Sequence, residues 1–518
     1  MTSDLVVSLD SSTSASKAII WDRQGNILSE GRASLVITQT HPTWYEQPAE
    51  AWWTTACEAF GKAVAQVNPK RLAAICITHQ RETFVPVNDK GRPLRNGILW
   101  MDERARPLLG ELKSLFGAER FHQVTGKPLS GNLTVGKIAW LRQNEPRVFD
   151  DTFMFMDVHG YLVQRLTGNF RTGWGCVDPM GLFDMRRNQW SEEILSRIGV
   201  RLEQFPEALP SGSILGTVTG EAVKVCHLPE GILVVAGLGD GQSAGLGVNI
   251  TQPGECYLSL GTSIVAGAFS DKYTTSRAFR TMYGGVPDTY IFETVLLGGA
   301  YTVKWFIDNF TNLEKDATRL NLSAEELMDA DVRNVPAGAQ GLLLVPYWNS
   351  AMNPYWDEAA RGIMVGWTGV HQRRHMYRAI LEGTAFEQRL HTNGVEQALG
   401  RQINRYVVVG GGARNELWCQ IIADVTGKLV YRTRTHEATA LGAGILAASA
   451  IGLFPDIHQA ADAMVHIDPI FFTPDLDRHR YYSQIFNEVY VHLFPALQDY
   501  LDRLTEIVAS YEERTRRV

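Results

Sequence analysis

The chain has 518 residues, a length that at about 100 to 200 residues per domain points to several domains, each able to bury its own core. Hydrophobic residues make up 45% and charged residues 20%, with 47 Gly and 21 Pro, which is ordinary globular usage and excludes a disordered or fibrous chain. Lys and Arg total 49 against 56 Asp and Glu, and the net charge of -7 leaves no excess positive field to hold a nucleic-acid backbone.

The first 40 residues alternate short apolar runs with polar turns: Leu5 to Leu9, Ala18 to Trp21, and Ile27 onward after the turn at Gln24-Gly25-Asn26. This predicts an antiparallel meander. Pro48 then opens a helical stretch with Trp52, Ala56, Phe60 and Val64 on one face, suited to covering those strands. The apolar run Leu72 to Ile77 ends in Thr78-His79-Gln80-Arg81-Glu82, a strand end of the kind where α/β proteins place ligand contacts. Helical periodicity dominates from about Glu103 to Leu166.

The scheme then restarts. Gly231 to Val235 runs into Gly237-Leu238-Gly239-Asp240-Gly241, and Cys256 to Leu260 runs into Gly261-Thr262-Ser263. Val7 to Ser14 and Leu258 to Ser263 share a strand followed by a hydroxyl-rich tight turn, so two similar halves facing each other are expected. Asn249, Thr251, Gln252, Pro253 and Gly254 gather as turn formers, which places a tight hinge near residues 248 to 255. The expected division is 1–250, 251–475 and a helical C-terminal extension over 476–518.

The six cysteines (Cys57, Cys76, Cys176, Cys226, Cys256 and Cys419) are scattered with no CxxC pair, and read as reduced, mostly buried thiols of a cytoplasmic protein. Met1 to Asp4 carries no basic leader. The longest low-polarity stretch, Gly442 to Phe454, is well short of the roughly 18 apolar residues that span a membrane, so no membrane partner is expected.

Three small-residue turns follow apolar strands: Asp10 to Ser14 with Ser12, Thr13 and Ser14; Gly261, Thr262 and Ser263; and Gly410, Gly411 and Gly412 with Asn415. Small residues let backbone N–H groups approach an anion and hydroxyls add donors, which suits phosphate oxygens. An ordinary tight turn explains each one alone; three, at the chain start and on both sides of a hinge, favour a nucleotide cleft. The third opens a helix over Glu416 to Val425 whose first amides suit a phosphate. No GxxxxGK[ST] occurs, which excludes a P-loop protein.

Asp240 lies between glycines just past an apolar strand, where a carboxylate can accept a hydroxyl proton; the alternative is a helix N-cap for Gly241 to Gly245. Asp10, at the first strand's end, suits Mg²⁺ held directly or through water, or else an Asx turn. Lys17 faces either phosphates or solvent. Arg81 and Glu82 pair a donor with an acceptor, and Trp100, Asp102 and Arg104 repeat the pattern, as carbohydrate contacts or as surface pairs and packing. No HExxH or other ligand spacing marks the histidines as metal ligands.

Taken in order, these segments resemble the FGGY carbohydrate kinase family, of the sugar kinase, hexokinase and actin-like ATPase fold. Val7 to Lys17 resembles its first phosphate hairpin, and Trp44-Tyr45-Glu46-Gln47 with Trp52-Trp53 its early signature. Gly239-Asp240-Gly241 is similar to its catalytic-aspartate turn and Leu258 to Ser263 to its second phosphate turn. Gly362 to Glu382 is similar to its C-terminal signature and Val409 to Thr426 to its adenosine segment.

The resemblance implies an α/β protein of two actin-like (ribonuclease H-like) domains flanking a cleft, the first binding sugar and the second ATP. It implies transfer of a phosphoryl group from ATP, with Mg²⁺ at Asp10, to a hydroxyl readied by Asp240 as base. The sugar contacts are then Gln80, Arg81, Glu82, Trp100, Asp102, Asp240 and Gln242, and the nucleotide contacts the three turns with Lys17 and Asn415. A homodimer is expected.

Lys17 and the second turn are similar to the xylulokinase-like pattern, which points to a ketopentose such as xylulose. Gln80-Arg81-Glu82 resembles the glycerol kinase clamp, which points to glycerol or another polyol such as erythritol. Ser12 and Ala15 stand where many relatives place glycine, and Trp367 replaces a usual aliphatic residue. Two rivals come from other classes: a dinucleotide oxidoreductase, from the formal GxGxxG/A match at Gly239 to Ala244, and a non-catalytic sugar sensor on the same fold.

Overall fold

The computed structural model describes residues 3–311, 319–320, 324–348 and 350–516. The last two residues of the expected C-terminal extension, Arg517 and Val518, lie outside the described residues. Two mixed sheets organise the chain. The first contains β1 (Leu5–Ser11), β2 (Ala15–Trp21), β3 (Ile27–Ser34), β4 (Leu72–His79), β5 (Ile214–Thr217) and β6 (Leu233–Val235), in the spatial order β5-β6-β4-β1-β2-β3. The second contains β7 (Glu255–Leu260), β8 (Ile264–Ser270), β9 (Arg280–Tyr283), β10 (Tyr290–Leu296), β11 (Arg405–Val409), β12 (Leu429–Thr433) and β13 (Ile467–Phe472), in the order β9-β10-β8-β7-β11-β12-β13.

The two sheets repeat one wiring. β1 pairs antiparallel with β2 and parallel with β4, and β4 pairs parallel with β6. Likewise β7 pairs antiparallel with β8 and parallel with β11, and β11 pairs parallel with β12. The self-resemblance of the sequence is therefore a repeat of sheet topology, and the turns β1–β2 and β7–β8 occupy equivalent places. A smaller five-stranded sheet includes Phe84–Val87 and Met154–Asp157. The second of these strands interrupts the stretch expected to be helical from Glu103 to Leu166: its apolar run is too short to show a period of its own.

β1 is buried along nearly its whole length because both faces of the first sheet are covered. One face receives α1 (Ala49–Val64), where Trp52, Ala56 and Phe60 pack against Val7 and Leu9. The opposite face receives α6 (Ala438–Ala450), a helix from the second half of the chain, where Leu441, Ile445 and Leu446 meet Val6, Ile19, Trp21 and Val235. The low-polarity stretch after Gly442 is thus an inter-lobe helix. The expected division near residue 250 falls between the strands of the two sheets, and α6 packs across it.

α6 also crosses α3 (Asp240–Leu246) at very close range. A Cβ at Gly442 would lie 1.9 Å from the Ser243 carbonyl oxygen, so only glycine admits this approach. In the second lobe, α4 (Arg373–Leu399) and α5 (Glu416–Thr426) enclose the core. The expected C-terminal extension is docked rather than free: Tyr482, Phe486, Tyr490 and Phe494 are buried in that core, and the Tyr482 hydroxyl donates to Glu382 at 2.6 Å. All six cysteines are buried and free. Among the described residues no helix is long and apolar enough to cross a membrane.

Gly442→Val inserts three carbons into the α3–α6 crossing and is expected to cost about 1–3 kcal/mol or more, read as a lower urea midpoint with an unchanged slope. Because α3 begins at Asp240, activity is expected to fall with it, even at temperatures where the variant stays folded.

Candidate active site

β1, β4 and β6 are parallel neighbours that end side by side. Asp10 sits at the end of β1, Gln80, Arg81 and Glu82 follow β4, and Gly239-Asp240 follows β6, with His79 bridging Gly239. Such converging strand ends are where open α/β sheets place ligands. Asp240 is the first residue of α3, and the N-cap position belongs to Gly239 rather than to Asp240 as one expectation had it. Its Oδ1 accepts from the Gly241 amide at 2.7 Å and from Arg81 Nε at 2.8 Å. Both contacts fall on one oxygen and 48% of the side chain is exposed, so the carboxylate keeps an open edge.

Arg81 and Glu82 are not a surface pair. Arg81 Nη1 also donates to Glu293 Oε2 at 2.7 Å, Arg280 donates to the other oxygen of Glu293, and Arg280 Nη1 reaches Glu82 Oε1 at 2.9 Å. The result is an alternating ladder, Asp240–Arg81–Glu293–Arg280–Glu82, whose first, second and last members come from the first lobe and whose other two come from β9 and β10 of the second. Burial alone would raise the Glu293 carboxyl, but Arg81 and Arg280 outweigh it and hold the group at about 2. Any side chain at 241 would enter this ladder: a Cβ there would stand 2.8 Å from Glu293 Oε2 and 3.1 Å from the Tyr257 hydroxyl.

Asp10 lies opposite Lys17 in the β1–β2 register. Burial first, then the charges of Asp240 and Glu437, push its carboxyl up to about 7, with Lys17 opposing. Lys17 is part-buried; it donates to Glu437 at 2.6 Å and lies 3.2 Å from Glu30, and these two carboxylates balance its charge. Unpaired buried polar atoms gather at this centre: Asp10 Oδ1, Ser11 Oγ, Thr78 Oγ1, Gln242 Oε1, the Tyr257 hydroxyl and Arg280 Nε. Buried polar atoms are normally bonded, so such a cluster marks a place built for an added group.

Other candidates are employed in holding the site together. Gln80 is buried, accepts from Thr13 and Thr83 at 3.2 Å each, and donates to Gln47. The Thr13 hydroxyl accepts from Trp100 Nε1 at 2.9 Å, tying the first turn to a half-exposed indole. Ser12 closes its own turn on the Ala15 carbonyl, and Ser14 is exposed beside it. Gln242 donates to the Gly175 carbonyl and to Asp178, leaving its Oε1 for a ligand.

Asp102 corrects the expectation of a sugar contact. It is fully buried, and both oxygens are taken by Arg104 and the Tyr45 amide, so it has no edge to offer a sugar.

The two glycine-rich turns of the second lobe lie side by side because β7 and β11 are paired through Ser259 and Val409. Gly410 has φ +87, and a Cβ on it would lie 3.0 Å from the Leu260 carbonyl, so the turn needs glycine both for its conformation and for room. Gly411 has nothing within 4 Å of its Cβ direction and faces open space. Gly261 and Thr262 carbonyls accept from the amides of Ala300 and Tyr301, which fixes the neighbouring turn, with Thr262 exposed and Ser263 part-buried. Asn415 caps α5 by accepting from the Trp418 amide at 2.8 Å and donates to Asp329, so its side chain is occupied.

Glu293, Arg280, Tyr257, Glu437 and Asp178 were missed by sequence reasoning. A signal did exist for the first: Glu293 is a lone carboxylate inside the apolar strand Tyr290–Leu296, and a charge in such a strand needs a buried partner. That partner, Arg280, stands directly opposite in the β9–β10 register.

Comparisons with known proteins bear on this geometry. Residues 5–247 match the family model described as "FGGY family of carbohydrate kinases, N-terminal domain", and residues 256–451 match its C-terminal counterpart. The chain is 27% identical to a xylulose kinase of Staphylococcus epidermidis over 491 residues, covering 94% of this chain and 96% of that protein. It is 31% identical to a glycerol kinase of Symbiobacterium thermophilum over 508 residues, covering 93% and 97%. The crystal structure of xylulose kinase from Rhodospirillum rubrum superposes with a TM-score of 0.88 at 25% identity, covering 96% of this chain and 99% of that one.

Two outcomes follow from the charges. Glu293→Gln leaves two buried guanidinium groups short of one negative charge and is expected to cost about 3–5 kcal/mol, with part recovered in Glu293→Gln/Arg280→Met, as a double-mutant cycle in urea will show. Asp10 has its folded pKa raised from 3.8 to about 7, so its penalty on folding grows as pH rises between those values and is full above 7. Asp10→Asn is therefore expected to raise Tm at pH 8 by on the order of 2–5 °C, with a smaller gain at pH 5 and none near pH 3.

Proposed function

The chain belongs to the FGGY family of carbohydrate kinases, ATP-dependent enzymes acting on a sugar or polyol, and from that premise we propose that it phosphorylates a hydroxyl of a short sugar, foremost a ketopentose such as xylulose. The observation that carries the chemistry is the setting of Asp240: one oxygen held by Arg81 and the Gly241 amide, the other edge open where the strand ends converge. Asp240 accepts the proton of the acceptor hydroxyl as that oxygen bonds to the terminal phosphorus and the bond to the leaving diphosphate breaks. Phosphoryl transfer asks a protein mainly for alignment, charge neutralisation and exclusion of water.

The remaining residues divide that work. The Thr13 and Ser14 amides, the Ser14 hydroxyl and the amides and hydroxyls of Gly261 to Ser263 receive phosphate oxygens, and Gly410 to Gly412 leave room for the nucleoside. Asp10 suits Mg²⁺: its Oδ1 is buried without a partner, and a cation beside it would relieve the repulsion from the Asp240 carboxylate. Mg²⁺ held there would neutralise charge on the phosphate oxygens. Trp100, Gln242 Oε1 and the free edge of Asp240 are the groups left to face the sugar.

A second reading, glycerol or another polyol as acceptor, is favoured by one contact. The Arg81 guanidinium lies against Asp240, where it would grip a neighbouring hydroxyl of a short polyol. Weighing against it, Arg81 and Glu82 are both engaged by second-lobe residues.

Asp240→Asn is expected to preserve KM for sugar and ATP while lowering kcat by roughly 10² to 10⁴-fold, the usual worth of a positioned base. Near-normal turnover would remove Asp240 from the role. Sugar-stimulated ADP release with Mg²⁺ against xylulose, ribulose, erythritol and glycerol ranks the acceptors by kcat/KM. A ketopentose leading supports the first reading; glycerol or erythritol leading replaces it with the second.

A further inference from the structure

Three side chains from three separate elements meet next to the strand end that carries Gln80. His79 closes β4, Asp157 ends the strand Met154–Asp157, and Cys176 lies in the short helix Trp174–Val177. Each is sealed from solvent, at 0% or 1% exposure, and one nitrogen, oxygen or sulfur atom of each lies within 4.8 Å of the other two. The reaction described above makes no use of this trio.

His79 fixes the chemistry. Its Nδ1 lies 2.7 Å from the Gln80 carbonyl oxygen, which can only accept, so Nδ1 carries the proton and Nε2 presents a lone pair. That Nε2 is buried with no hydrogen-bond partner, and Asp157 Oδ2 stands 3.6 Å from it, beyond hydrogen-bond range. Two electron-rich atoms sealed from water thus face each other, an arrangement that a positive charge between them stabilises. A tetrahedral ion with bonds of about 2.0–2.3 Å holds its ligands roughly 3.3–3.8 Å apart, and the His79–Asp157 pair already has that spacing. The outer contacts are of the kind that orient metal ligands: a ring nitrogen set on a backbone carbonyl, and a carboxylate held by the Thr172 hydroxyl at 3.1 and 3.3 Å.

We propose that His79 Nε2, an Asp157 carboxylate oxygen and Cys176 Sγ bind one Zn²⁺ ion, with a buried water in the fourth position. Nitrogen, oxygen and sulfur together suit Zn²⁺ and disfavour Mg²⁺, so this centre is distinct from the one at Asp10. Burial, then the charge of Asp157, pushes the Cys176 thiol up, so it arrives as S–H. Coordination expels that proton to solvent, and carboxylate and thiolate then balance the two charges of the ion. The ion would tie β4 to the segment around Cys176, where the Gly175 carbonyl accepts from the Gly239 amide at 2.9 Å and from Gln242 at 3.0 Å. It stiffens the backbone that leads into Asp240 without touching a substrate, so the inference does not depend on the acceptor proposed above.

Because the ligands are sealed, the ion must enter as the chain folds, so the full chain is produced in minimal medium with added Zn²⁺ or Co²⁺ and then passed over a chelating column. Elemental analysis is expected to find one ion per chain, and the Co²⁺ form to show tetrahedral visible bands with a near-ultraviolet sulfur-to-cobalt band. Cys176→Ser should lose the sulfur band. Thr172→Val, which removes only the hydroxyl that orients Asp157, should weaken Zn²⁺ affinity by about 10–100-fold in chelator competition. Cys76→Ser, at a buried cysteine outside the trio, should change neither. Where Cys176→Ser fails to fold, the cobalt spectrum of the unaltered chain decides. A chain that retains neither ion, a cobalt spectrum without the sulfur band, loss of that band in Cys76→Ser in place of Cys176→Ser, or displacement of either ion by excess Mg²⁺ overturns the proposal.

Discussion

Charge alternation along Asp240, Arg81, Glu293, Arg280 and Glu82 governs this molecule more than any other single feature. Each guanidinium lies between two carboxylates, and Glu293 lies between two guanidinium groups. Taking ions out of water costs several kcal/mol apiece, and only a complete set of partners offsets it. The set is completed across the lobes, because β9 and β10 supply the two members that the first lobe lacks. The guanidinium that orients Asp240 is thus anchored in the opposite lobe, and where that carboxylate sits depends on how the lobes meet.

That dependence gives the repeat topology its functional sense. Each sheet presents one hairpin turn at an equivalent place, β1–β2 in the first lobe and β7–β8 in the second. The helices that join the lobes, α3 and α6, cross at a distance only glycine permits, so the connection is stiff where they touch. α6 is rich in Ala and Gly for the same reason: small side chains let it pack on the first sheet while starting from the second lobe. Glu437, just before α6, reaches Lys17 on β2, a further tie between the halves beside Asp10.

The meander, the covering helix α1, the strand-to-turn segments and the repeat of the scheme were legible in the sequence, because each is a local pattern of period and punctuation. So was Asp240 as a candidate, since a carboxylate between glycines after an apolar strand stands out in the sequence. What local pattern could not show is how a polar side chain is spent. Arg81 and Glu82 read as a sugar clamp or a surface pair; they are no surface pair but rungs of a buried ladder. Lys17 read as a phosphate ligand or a solvated lysine, and no local pattern foretold its pairing with Glu437. Asp102 read as a sugar contact and is sealed by Arg104 and the Tyr45 amide.

From its sequence alone, this protein's fold class and its family were settled, because these depend on residue types at fixed local spacing. Only the tertiary structure decided which charges neutralise which, since Arg81 and Glu293 stand 212 positions apart and Lys17 and Glu437 stand 420 apart. A buried charge is defined by its partner, and a partner that distant along the chain is chosen by the fold.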